Sequence, residues 1–141
     1  MNKEFIPYEQ ALELKELGFD EECLAAYYVF GDDKLREGRY GQTESQLFIN
    51  GIDIQVEDRM EELQMFAYHD VSVPTFSQAF RWFREKYNIN GYQFIYQTMD
   101  GGYALSSVEE HDQVDGYFEA YEEAELACLN KLIKIVKGGE Q

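Results

Sequence analysis

Basic residues, cysteine, histidine and proline are all scarce in this chain of 141 residues, and most of these shortages narrow what the protein can do. Twelve Lys and Arg stand against twenty-eight Asp and Glu, a formal net charge of −16 with a pI near 4.3. A chain so charged is repelled by phosphate backbones and anionic lipid surfaces, which disfavours generic nucleic-acid binding. The two cysteines, Cys23 and Cys128, lie far apart, and the opening MNKEFIPYEQ lacks the apolar stretch of a secretory signal. Together they lead us to expect a reduced, cytoplasmic protein. Two histidines are too few for a histidine-rich transition-metal centre. No run approaches the roughly eighteen apolar residues that a membrane span needs. Neither GxSxG, a phosphate loop nor GxGxxG occurs, and Asp100-Gly101-Gly102 reads as turn chemistry.

What the chain does have is core-forming material. Hydrophobic residues make up 45% of it and charged residues 28%, with eleven tyrosines, ten phenylalanines and one tryptophan. A domain of this length buries roughly 68–70% of the surface exposed by its unfolded chain, so it needs neither metal nor disulfide to hold a core. A single domain over 1–141 is expected, with an irregular or variable middle at about 41–70.

Local signals place most of the elements. Pro7 at the first helical position and Gly18 just past the end bracket a helix in PYEQALELKELGF, and a Schellman turn there would bring Phe19 onto Leu14. CLAAYYVF reads as a strand ending at Gly31-Asp32-Asp33. Asn50-Gly51, between QLFI and IDIQV, is a two-residue hairpin signal. EDRMEELQMFAYHD, residues 57–70, reads as helix at its start and extended chain at its end.

Pro74, Thr75 and Gln78 mark the start of a second helix at Phe76. Phe76, Ala79, Phe80, Phe83 and Tyr87 recur at helical spacing on one face, with Arg81, Arg84 and Glu85 elsewhere and Trp82 away from the centre of the stripe. A stacking platform for nucleic acid needs its rings exposed beside a positive groove. The stripe is therefore expected to be core.

GYQFIYQT and GYALSSV flank a second hairpin turn at Met99-Asp100-Gly101. YEEAELACLNKLIKIVKGG is a long helix whose glutamates lie near its start and whose lysines lie near its end, as the helix dipole favours. Tight turns pair strands antiparallel, so the expected class is α+β: a small antiparallel sheet of hairpins with about three helices packed on one face.

No constellation assigns a reaction, a cofactor or a metal. His69-Asp70 and His111-Asp112 lack further histidine partners, and the plain alternative is a surface histidine in an acidic loop. Read as a calcium loop, HDQVDGYFEAYE puts Asp115, Gly116 and Glu122 at positions five, six and twelve, but His111 and Gln113 at positions that require carboxylates. Cys128 sits in an apolar helix face and Cys23 beside Glu21 and Glu22, settings that keep a thiol protonated. The feature left over is an acidic run: Glu109, Glu110, Asp112, Asp115, Glu119, Glu122, Glu123 and Glu125, with no Lys or Arg before Lys131. Such runs are commonly a solvated loop and helix start; the functional reading is a docking surface for a basic partner.

YEQALELKELGFDEECLA, PTFSQAFRWFREKY and YEEAELACLNKLIKIVK resemble the recurring blocks of a family of short, uncharacterised proteins encoded by bacteriophages and prophages. The blocks cover about a third of the chain. The chain departs from the family's pattern in its middle, roughly 41–68, and in Ala120, where relatives often carry a capping Thr. The resemblance carries no catalytic or ligand residues. It implies a small accessory protein of the host bacterial cytoplasm that binds a host protein; the acidity of the chain, not the resemblance, then points to Glu109, Glu110, Asp112, Asp115, Glu119, Glu122 and Glu123 as the contact surface. The alternative is a small-molecule or nucleotide binder whose pocket is lined by Tyr27, Tyr28, Tyr92 and Tyr96, with Arg81 or Arg84 holding phosphates.

Overall fold

The computed structural model describes residues 2–32, 43–49, 56–88, 93–97, 101–107 and 114–139. The α+β class holds, with antiparallel strands and helices alternating along the chain. The single sheet expected from the hairpin signals is instead two: β1 (Ala25–Gly31), β2 (Thr43–Ile49) and β3 (Phe66–Val73) form one, and β4 (Gln93–Gln97), β5 (Tyr103–Ser107) and β6 (Val114–Phe118) the other. The chain falls into two compact units, Pro7–Pro74 around the first sheet and Met1–Ile6 with Thr75–Gln141 around the second.

In the first unit the helix α1 (Tyr8–Glu16) packs on β3. Pro7 is its N-cap rather than its first helical residue. Its C-terminus is a full Schellman motif: Phe19 N–H donates to Leu14 O at 2.9 Å and Gly18 N–H to Lys15 O at 3.0 Å, with Gly18 at φ 99°. Leu14 and Phe19 are both buried, as the spacing predicted.

The sheet order is β2-β1-β3, both pairs antiparallel. β2 therefore pairs with β1, Ala25 lying opposite Ile49 and Gly31 opposite Thr43, while Asn50-Gly51 and most of IDIQV lie outside the described residues. The stretch expected to be irregular, 41–70, contains β2, the helix α2 (Val56–Leu63) and the first half of β3. The expected change from helix to extended chain occurs at Gln64, which takes a left-handed φ of 55°.

Register along β3 is broken once. Tyr27 lies opposite Val71 but Tyr28 opposite His69, so Asp70 is the extra residue of a β-bulge. Strict alternation would put residues 69 and 72 on opposite faces. The bulge returns them to one face, where Ser72 Oγ lies 3.3 Å from His69 Nε2. Asp70 is aimed instead at α1: its Oδ2 accepts from the Tyr8 hydroxyl, and its carbonyl accepts from Lys15 Nζ at 2.9 Å.

In the second unit a short 3-10 helix (Asn2–Glu4) leads to a bridge between Phe5 and Thr75. Thr75 caps the helix α3 (Phe76–Tyr87), its hydroxyl accepting from Gln78 N–H at 3.1 Å, the first half of the expected capping box. Phe76, Ala79, Trp82 and Phe83 are buried. Of the two places open to Trp82, the edge of the core and the surface, it takes the core. The buried face centres nearer Ala79 than Phe80, which turns Trp82, three residues on, inward and leaves Phe80 half-buried. Trp82 lies edge-on to Phe83 at 5.1 Å and to Tyr87 at 5.5 Å, and Lys86 Nζ sits 5.1 Å from its ring centroid.

The second sheet runs β4-β5-β6, with Gln97 opposite Tyr103 across the expected hairpin and Gly101 at φ 91°. The helix α4 (Tyr121–Gly139) packs against all three strands and α3 through Ala124, Cys128, Leu129, Leu132, Ile133 and Val136. β6 is an element that the reading of 109–125 as loop and helix start missed. Its extended backbone replaces the turn that a calcium loop would need at Asp115 and Gly116.

Two cap positions give stability tests. Gly18→Ala should cost about 1 kcal/mol, because a Cβ disfavours the left-handed conformation the Schellman turn requires, and Gly18→Asn should cost less. Ala120 accepts the first helical hydrogen bond of α4, from Ala124 N–H, but has no side-chain oxygen to cap it. Ala120→Ser should therefore gain about 1 kcal/mol. Urea midpoints at unchanged m-values check both.

Candidate functional site

α4 begins where the acidic run ends. Glu119 in the preceding turn and Glu122 and Glu123 in the first turn are all exposed, beside backbone N–H groups that favour negative charge. Glu125, one residue past the fully buried Ala124, is only half-exposed. It lies at the edge of the helix's apolar face.

Glu122 and Glu125 line a cavity of about 350 Å³ with Glu4, Lys3 and the start of α3 at Thr75, Phe76 and Ser77. The bridge between Phe5 and Thr75 ties the 3-10 helix to the start of α3 there. Three carboxylates against one ammonium make the cavity negative. Burial, and then the charge of Glu122, hold the Glu125 carboxyl above the usual carboxylate range. Among the described residues no group of three or more His, Cys, Asp or Glu could hold a metal ion.

Two exposed tyrosines flank these acids in sequence. Tyr117 on β6 is 73% exposed and Tyr121 at the first position of α4 is 46% exposed, with its ring edge-on to Tyr103 at 5.5 Å. Burial, followed by Glu125, Cys128 and Tyr103, pushes the Tyr121 hydroxyl up. Exposed tyrosines are common anchors of protein interfaces, because they offer a large rigid surface and a polar tip.

Of the acidic residues singled out by sequence, Glu119, Glu122 and Glu123 are thus gathered at the start of α4. Asp115 is on β6, and Glu109, Glu110 and Asp112 lie outside the described residues. The sequence reading missed Tyr117, Tyr121, Lys3 and Glu4. The alternation in VDGYF was the available signal for Tyr117; Lys3 and Glu4 reach the cavity only through tertiary pairing.

The tyrosines of the alternative pocket fall on different elements. Tyr27 and Tyr28 are on β1 of the first unit and Tyr96 on β4 of the second, so they do not share a sheet. Tyr92 lies outside the described residues. Tyr27 packs edge-on to Tyr8 at 5.0 Å, and Tyr28 to Phe48 at 5.7 Å and His69 at 5.5 Å. Arg81 and Arg84 are exposed on α3.

The remaining candidates for chemistry are placed as follows. Burial and then Glu125 push the Cys128 thiol up to about 12, in keeping with the inert setting expected of it. Cys23 is half-buried, with Sγ 3.5 Å from Glu21 O. His69 is exposed. No protein-family model matches this chain, and no curated protein or solved structure is significantly similar to it.

The raised Glu125 carboxyl has a sign that can be measured. Ionising it costs more in the folded chain than in the unfolded one, so stability is lost as pH rises from its ordinary value of 4.5 through the raised value. Glu125→Gln removes that loss. The variant should have the higher urea midpoint at neutral pH, and its advantage should vanish at pH values below 4.5.

Proposed function

We propose that this chain is a binding protein that engages a basic partner protein through the acidic, tyrosine-flanked edge at the start of α4. The observation that carries this reading is the cavity between Glu4, Glu122 and Glu125, a concave negative site in which one carboxylate is held partly out of water. A lysine or arginine side chain inserted there would relieve the cost of ionising Glu125, and would gain more than it could from an exposed pair. The surplus of acids over bases across the chain would steer such a partner toward it. Tyr117 and Tyr121 supply the apolar anchors that charge alone does not. The resemblance to phage and prophage proteins gives this reading its setting, an accessory protein acting on a host protein.

Affinity capture of the tagged protein from bacterial lysate, at low and high salt, tests the proposal when bound proteins and nucleotides are both identified by mass spectrometry. One stoichiometric protein should be held at low salt and lost at high salt. Glu122→Lys combined with Glu125→Lys should weaken its binding by roughly a hundredfold, about 3 kcal/mol, while Glu57→Lys on α2 should leave it nearly unchanged. A partner retained by the double variant, or a copurifying nucleotide with no protein, overturns the reading.

A further inference from the structure

The bulge on β3 builds a second concave site, in the first unit and independent of the acidic edge. A cavity of about 180 Å³ lies beside β3, an outer strand of its sheet, where the chain leaving α1 passes. Its charged groups are of both signs. Lys15 contributes an ammonium whose position is fixed by its hydrogen bond to Asp70 O at 2.9 Å. Asp20 and Glu21, just past the Schellman turn, contribute carboxylates. His69 and Ser72, brought to one face by the bulge, add an imidazole and a hydroxyl 3.3 Å apart. Phe19 and Val71, both buried, provide apolar wall.

The third carboxylate, that of Asp70, is engaged with the Tyr8 hydroxyl, and this bond is the largest of the causes that push that hydroxyl up to about 12. Asp70 thus braces α1 against β3, and with it the position of Lys15. A ligand carrying both charges can meet both signs of such a site at once, which a ligand of single charge cannot. The volume corresponds to about six liquid waters, which suits a molecule of six to eight heavy atoms rather than a nucleotide.

We propose that this cavity binds a small zwitterion carrying one carboxylate and one primary ammonium, an α-amino acid with a short side chain. Lys15 and His69 face the carboxylate, Asp20 and Glu21 the ammonium, and Phe19 and Val71 the aliphatic carbons. Titration calorimetry on the whole protein, with L-alanine, L-serine and L-threonine as probes and acetate, ethylamine and AMP as controls, tests it. Saturable binding of at least one amino acid is expected, roughly tenfold or more tighter than acetate or ethylamine. Lys15→Met and Asp20→Asn should each weaken that binding by roughly tenfold, whereas Glu122→Lys combined with Glu125→Lys should leave it unchanged. The controls need only the wild-type chain, so a variant that fails to fold does not decide the matter. Equal binding of singly charged controls, a preference for AMP, or no saturation by any amino acid at tens of millimolar overturns the proposal.

Discussion

A three-stranded sheet of five- to eight-residue strands can hide a face only where a helix lies on it, and both units are arranged around that need. In the first, the nine-residue α1 lies against β3 and contributes Ala11 and Leu14 to the core opposite Val71 and Val73. Helices of this length are marginal alone, so α1 depends on what it covers as much as the sheet depends on it. Its Schellman turn serves the same burial, since it carries Phe19 back onto the apolar side of the helix. In the second unit the longer α4 spans three strands and α3 through one continuous apolar stripe. Each full burial of a Leu or Phe along these faces contributes about 1.5–3 kcal/mol, which far exceeds what any exposed ion pair supplies.

Covering one face leaves the acids to the remaining surface, and their placement follows helix electrostatics. Glu122 and Glu123 occupy the first turn of α4 and Lys137 its last, each where the partial charges of the helix end favour it. Glu57 and Asp58 do the same in α2, and Arg59 pairs with Glu62 at 2.9 Å there. Glu125 is the departure from this pattern. One position beyond a buried alanine, it cannot be fully solvated, and burial outweighs the neighbouring Glu122 in raising its titration. That single displacement of a carboxylate toward the core makes the start of α4 different in kind from a solvated acidic face.

The parts of the fold legible in the sequence were those specified within a few residues. Gly18 after Leu17 and Thr75 three residues before Gln78 each encode backbone geometry locally, and the structure has the Schellman turn at the first and the side-chain cap at the second. What escaped was non-local. β2 could be recognised as a strand, but its partner depends on which edge of β1 is open, a fact that Asn50-Gly51 does not contain. β6 was hidden because its acids suggest solvent, although Gly116 and Phe118 alternate with Tyr117 as an outer strand should. The candidate site was half legible for the same reason: the glutamates of α4 stand in sequence, while Lys3 and Glu4 join them only through the pairing of Phe5 with Thr75. The sequence leaves Trp82 open between core edge and surface, because an apolar pattern broad enough to include Phe80 does not fix the helical phase closely enough to choose.

Register supplies one regularity that neither composition nor motif suggests. Each sheet, among the described strands, has an outer strand carrying a bulge, and in both the extra residue is an aspartate: Asp70 on β3 and Asp115 on β6. An outer strand offers unpaired backbone groups to any other chain, and a bulge together with a charge at that position interrupts the regular ladder an intruding strand would need. A short strand in a chain of high aromatic content has particular need of such an interruption. At Asp70 the same irregularity has a second consequence, because the residue freed from the ladder can reach Tyr8 while its neighbours His69 and Ser72 turn together to the other face. A device that protects an edge thereby also positions polar groups beside it. Both cavities sit where the regular patterns fail: one at a bulge, the other where a carboxylate departs from the solvated face of its helix.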